Sequence, residues 1–320
     1  MKTARIVRLS VFGLVAVLFA ATFLALPARA EGITLPPEAL KAMDKIYGGD
    51  PDAAIVIAHD VEQAQPDHPL GYLLEAEAIW WKRYCAACEI KYGMVDAWKR
   101  SKESDDADYL ALTGKVTSLA LVELAKSETA EMHTYAGLGW ALKVRVYALR
   151  DEYRNAAHAA VNGRTEMLAA LKLDPDMADA TAALGIYNYY VETVSPIVKV
   201  LRFFMGIPGG DKQKGVEQME TGMNKGLFLA VDARFILSRA LRTYDQKYER
   251  ALAVAEPLVS RYPHNPMFLL LAGNLNAELG HSDKASEYFH TALATSVPDD
   301  ACAARTRELA NAFLATLKID

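Results

Sequence analysis

The 320-residue chain carries Lys and Arg at 35 positions against 40 Asp and Glu, a formal net charge of −5 with no basic run. A phosphate backbone is neutralised by Lys and Arg gathered on one face, so this balance excludes the nucleic-acid-binding classes. The length exceeds a typical single-core domain of about 100–150 residues and suits an elongated array whose units contact only their neighbours.

Residues 1–30 have the layout of a secretory signal. Lys2, Arg5 and Arg8 precede the uncharged apolar run Val11–Leu26, and Pro27-Ala28-Arg29-Ala30 puts small residues where a signal peptidase reads them. Cleavage before Glu31 removes four positive charges and leaves no adjacent Cys for a lipid anchor. No second apolar run reaches the ~20 residues of a spanning helix. The mature protein is therefore expected to be exported, periplasmic or secreted, without stable membrane insertion.

Beyond the leader, Ala, Leu and Glu abound and β-branched alternation is missing, which predicts helix throughout. Pro, Gly and Asp punctuate the chain into helices expected at 37–47, 51–65, 69–83, 92–103, 105–127, 129–150, 152–173, 177–194, 196–206, 211–225, 230–243, 246–262, 266–280, 282–296 and 300–318. Asp50-Pro51, Ser195-Pro196 and Asn265-Pro266 each set a capping side chain before a Pro at the first helical position. The connections are short, so consecutive helices must pack as antiparallel hairpins. These expectations divide the mature chain into hairpins at 31–104, a long-helix region at 105–177, repeats at 178–299 and a capping helix at 300–320.

The repeat is read from spacing. Gly273, Ala285, Phe289 and Ala292 stand 12, 4 and 3 residues apart, with Pro298 near the end of the unit 266–299. Ala251 lies 34 residues before Ala285, and Pro263 closes the preceding unit 232–265, where Arg239 replaces the small residue of the first helix. Leu184-Gly185 marks a further unit from Ala178; Gly163, Met167 and Ala170, and earlier Ala54, Ala58 and Pro66, fit other second helices. A 34-residue period of helix pairs predicts an all-α, tetratricopeptide-like α-solenoid. The unit from Ala178 holds an extra apolar segment at 195–210. Its amphipathic pattern (Ile197, Val198, Leu201, Phe203, Phe204, Met205) suits a lid on the array better than a membrane-surface helix, because its polar side carries only Lys199 and Arg202.

Across that insertion, Gly185, Asn188, Pro196, Phe204, Gly206, Gly210, Asp211 and Gly215 form a pattern similar to the signature of the tetratricopeptide repeat protein 39 family. The resemblance covers about 185–265. It implies a non-enzymatic repeat scaffold with no catalytic residues to carry over. Members in eukaryotic cells are cytosolic or sit at the mitochondrial outer membrane, so their cellular role does not transfer to a chain with an export signal.

Cys85-Ala86-Ala87-Cys88 admits a redox pair, half a zinc site or a disulfide. Glu89 stands where c-type haem attachment needs His, and zinc needs four ligands, whereas His133 and His158 are isolated. Thioredoxin-like chemistry belongs beside a parallel sheet. In an oxidising compartment the expectation is a local Cys85–Cys88 disulfide, with Cys302 a core residue.

A concave groove would be lined by the first helix of each unit: Ile186, Tyr189 and Tyr190, then Ile236 and Tyr244, then Leu270, Asn274 and Glu278, with Trp81 from the Trp80-Trp81 pair. Tyr offers area with a polar tip and Asn bonds an extended backbone, so the expected partner is a protein or peptide. Arg239 and Arg242, with Arg234, Lys199 and Arg202, form either a carboxylate or phosphate clamp or a face balanced by Asp232, Glu249 and Glu256. No nucleophile elbow, phosphate-cradling Gly loop or H-E-x-x-H occurs, so no enzyme, cofactor or metal site is expected. Two alternatives remain beside the scaffold: a binder of a small apolar or lipid-like ligand under the insertion, and a thiol-active protein using Cys85 and Cys88.

Overall fold

The computed structural model describes residues 33–91, 94–96, 105–193 and 206–317. The leader and the greater part of the 195–210 segment lie outside the described residues. The described residues form an all-α fold of thirteen helices with one small hairpin. In chain order these are α1 (Pro37–Tyr47), α2 (Pro51–Ala64), α3 (Pro69–Ala87), β1 (Glu89–Lys91), β2 (Met94–Asp96), α4 (Asp106–Lys126), α5 (Ala130–Leu149) and α6 (Tyr153–Leu173). Then come α7 (Ala178–Thr193), α8 (Lys212–Lys225), α9 (Ala230–Thr243), α10 (Tyr248–Arg261), α11 (Pro266–Glu278), α12 (Ser282–Ala294) and α13 (Asp300–Thr316). None of these helices is long and apolar enough to cross a membrane.

The caps form as the sequence dictates. Asp50 accepts from the Ala53 amide at 3.2 Å, and Asn265 accepts from the Met267 and Phe268 amides at 2.9 and 3.3 Å. Each thereby satisfies donors that a helix start leaves open, and Pro at the next position has no amide to satisfy. The cap expected at Ser195 lies outside the described residues.

The helix expected at 92–103 is corrected at its start. Met94–Asp96 is a strand paired antiparallel with Glu89–Lys91, Lys91 facing Met94. Two residues, Tyr92 and Gly93, separate the strands in sequence. That is the length of a tight hairpin connection, and Gly is a residue such connections favour.

Consecutive helices pack on one another, and the odd-numbered helices also contact each other in series from α1 to α13. The odd helices therefore make an inner row and the even helices an outer one. Burial follows this division: α11 buries eleven of its thirteen residues, α12 only Ala285, Phe289 and Ala292. The 34-residue register is visible in the packing. Ser238 and Ala272 are fully buried on the inner helices, and Ala251 and Ala285 on the outer ones. A Cβ on Gly273 would stand 2.5 Å from the Phe289 ring. One period earlier the place of Phe289 is taken by Ala255, so the outer helix α10 brings no ring to that point, and α9 carries Arg239 where α11 has Gly273. At the α7–α8 crossing a Cβ on Gly185 would lie 2.8 Å from the Gly215 carbonyl oxygen, so two backbones meet without side chains between them.

The inner row curls back on itself. α13 packs on α3, and α3 also faces α9 and α11: the Trp81 ring lies 5.0 Å from Phe235 and 5.6 Å from Phe268. Side chains of the inner row thus fill the space that an open superhelix would leave as a groove.

Candidate functional site

The expected groove residues have divided fates. Trp81 is only 5% exposed, and its indole N–H donates to Glu77 Oε1 at 2.9 Å. Tyr189 is buried, and its hydroxyl donates to the Ala240 carbonyl at 3.1 Å, tying α7 to α9. Arg242 and Asn274 are buried together: Arg242 Nε donates to Asn274 Oδ1 at 3.1 Å, and the guanidinium also pairs with Glu278. Arg239 lies over the rings of Phe235 and Tyr84, 5.4 and 5.6 Å from their centroids. Arg234 instead donates to the carbonyls of Val254 and Met223. These three arginines are spent on different partners and do not converge on one anion. Asp232, one of the three acids assigned to their face, turns inward to Tyr47.

Tyr190 and Tyr244 remain within reach of solvent. Tyr190 is partly buried and Tyr244 is 51% exposed, their rings edge-on with centroids 6.1 Å apart. Tyr189 backs both, at 5.6 and 6.2 Å. Lys212 lies over the Tyr189 ring at 5.1 Å and pairs with Asp245. Three elements build this corner: α7 supplies two rings, α8 the lysine, and the turn after α9 the third ring and the acid. Burial, reinforced by the neighbouring tyrosines, pushes the Tyr190 phenol well above its usual range. The Tyr190 phenol therefore stays neutral at physiological pH, and the corner is an aromatic step beside the Lys212–Asp245 pair.

Sequence reading missed the most polar part of the interior. Glu77 of α3 is 1% exposed and accepts both 2.9 and 3.1 Å bonds from Arg145 of α5. Arg145 also approaches Asp232 of α9 at 3.7 Å, and Asp232 accepts from the Tyr47 hydroxyl of α1 at 3.0 Å. Burial, with nearby Asp232 adding to it, pushes the Glu77 carboxyl up to about 8 even though Arg145 pulls the other way. Two acids share one guanidinium, and burial favours the protonated form of Glu77. These partners come from four inner helices, 68 to 185 residues apart. The available signal was charged residues on helices that are otherwise apolar, as at Glu77 between Ala76 and Ala78.

The cysteine expectation is overturned. Cys85 is bonded to Cys302, not to Cys88, with the two α-carbons 4.9 Å apart. Cys85 lies in the last turn of α3 and faces α13, whereas Cys88, the residue after the helix, is buried in the core. The Cys88 thiol donates to the Cys85 carbonyl at 3.4 Å and lies 3.6 Å from Met267 Sδ. Burial pushes it up to about 12. A reactive thiol needs the opposite shift. Neither a protein-family model nor a curated protein matches the chain.

Proposed function

We propose that the chain is an exported, non-enzymatic scaffold of the tetratricopeptide-repeat type that binds a protein or peptide partner. The relation to the tetratricopeptide repeat protein 39 family is part of this proposal and rests on the pattern at 185–265. The observation that carries the binding reading is the Tyr190–Tyr244 step, an exposed ring supported by two others at the α7–α9 edge. Tyr is favoured in protein contacts because it brings a large, stiff apolar face and a hydroxyl at small entropic cost. Since Trp81, Arg242 and Asn274 are covered by the chain's own helices, this reading puts the partner on the rim and not in the interior.

The test is affinity capture with the mature chain and with Tyr244→Ala, from the exported fraction of the source cells. Tyr244→Ala should retain the fold by circular dichroism and hold the partner at least tenfold more weakly. Equal capture of the same proteins by both forms removes the assignment. A mature N-terminus at Glu31, read by mass spectrometry, tests the export reading separately.

A further inference from the structure

His59 and Glu62 lie three residues apart on α2 and so share a face, and Glu75 faces them from α3. His59 Nε2 is 3.1 Å from Glu75 Oε1. One ligand atom from each of the three residues lies within 4.8 Å of the others. Glu62 Oε1 is buried and accepts no hydrogen bond. Its stem is held where α3 has no side chain: a Cβ on Gly71 would stand 2.6 Å from Glu62 Cγ and 2.8 Å from its amide nitrogen. Among the described residues no Lys or Arg pairs with either carboxylate. Two acids therefore converge beside an imidazole with no cation between them.

We propose that His59, Glu62 and Glu75 bind one divalent transition-metal ion of the zinc class. Donors about 2.0–2.2 Å from a shared ion lie roughly 3.3–3.6 Å from one another in a tetrahedral shell. The His59–Glu75 separation of 3.1 Å is within a few tenths of an ångström of that spacing, and a shift of the Glu62 carboxylate on the order of 1 Å brings in the third donor. An imidazole with two carboxylates suits Zn²⁺ and its first-row neighbours. Ca²⁺ takes six to eight oxygens and Mg²⁺ holds its waters, so neither is served by this set. Half of the His59 side chain is exposed, which leaves room for water to complete the shell. The candidate site stands apart from the partner-binding reading and does not depend on it.

The experiment is calorimetric titration of the EDTA-stripped mature chain with ZnCl₂, repeated on His59→Ala, Glu75→Gln and the control His133→Ala. His133 touches Glu166 and Glu128 and serves as a second imidazole–carboxylate group. One ion should bind per chain. His59→Ala and Glu75→Gln should each weaken it at least tenfold, His133→Ala should leave it unchanged, and millimolar Ca²⁺ should not displace it. Absence of zinc binding, equal binding by His59→Ala, or displacement by millimolar Ca²⁺ would overturn the proposal. Melting of the metal-free forms checks the fold; if Glu75→Gln melts early, the His59→Ala result decides, because that side chain is exposed on the helix surface.

Discussion

Asn265 Nδ2 donates to the Tyr47 backbone carbonyl at 2.8 Å, joining positions 218 residues apart, while the same side chain's Oδ1 caps α11. One amide thus starts a helix and closes the array. Asn265→Ala removes a cap and strands a buried carbonyl, so it should cost about 2–3 kcal/mol. Urea unfolding measures this; a loss below about 0.5 kcal/mol would mean that water replaces the amide.

The Cys85–Cys302 bond spans 217 residues and holds α3 to α13. Chain-entropy arguments give a loop of this length an upper limit of about 5 kcal/mol. Cys302→Ser should therefore lower the unfolding midpoint far more than Cys88→Ala. Non-reducing peptide mapping should find the fragments carrying residues 85 and 302 linked, and an 85–88 link would reverse the assignment.

Labelling of Cys88 reports its burial. Its thiol, pushed up to about 12, is protonated throughout the neutral range, and only the thiolate reacts. Iodoacetamide should label the folded, unreduced chain slowly at pH 7. The rate should climb about tenfold per pH unit toward alkaline pH without levelling off below pH 10. A plateau near pH 7 would point to a solvent-accessible, activated thiol.

The interior charges make a graded prediction. Arg145→Met leaves Glu77 and Asp232 without their shared cation and should cost about 3–5 kcal/mol. Glu77→Gln mimics the protonated acid that burial favours, keeps an acceptor for Trp81, and should cost less than about 1.5 kcal/mol. If both variants cost the same, Glu77 is ionised in the native state.

Gly185→Ala sets a methyl group against the Gly215 backbone, where no flexible side chain can yield. Overpacking of this kind costs about 1–3 kcal/mol. Thermal melting of the variant should show that loss, and an unchanged midpoint would mean that α7 and α8 can move apart freely.

Helix starts, hairpin packing and the 34-residue register were legible in the sequence because each depends on neighbours within one unit. Asp50 and Asn265 cap the next turn, and Gly273 and Phe289 meet within one hairpin. The strand at Met94–Asp96 escaped because three residues carry too little periodicity to separate strand from helix. The candidate groove was legible as a row of positions on inner helices, but their exposure was not.

What tertiary structure alone decided is how far the array curls. Curl is the sum of small rotations between successive hairpins, and no single unit's sequence records that sum. Enough of it brings α3 against α9, α11 and α13, which buries Trp81, pairs Cys85 with Cys302 and gathers Glu77, Arg145 and Asp232. Local spacing determined which residues face inward; the accumulated rotation determined that inward, here, means core.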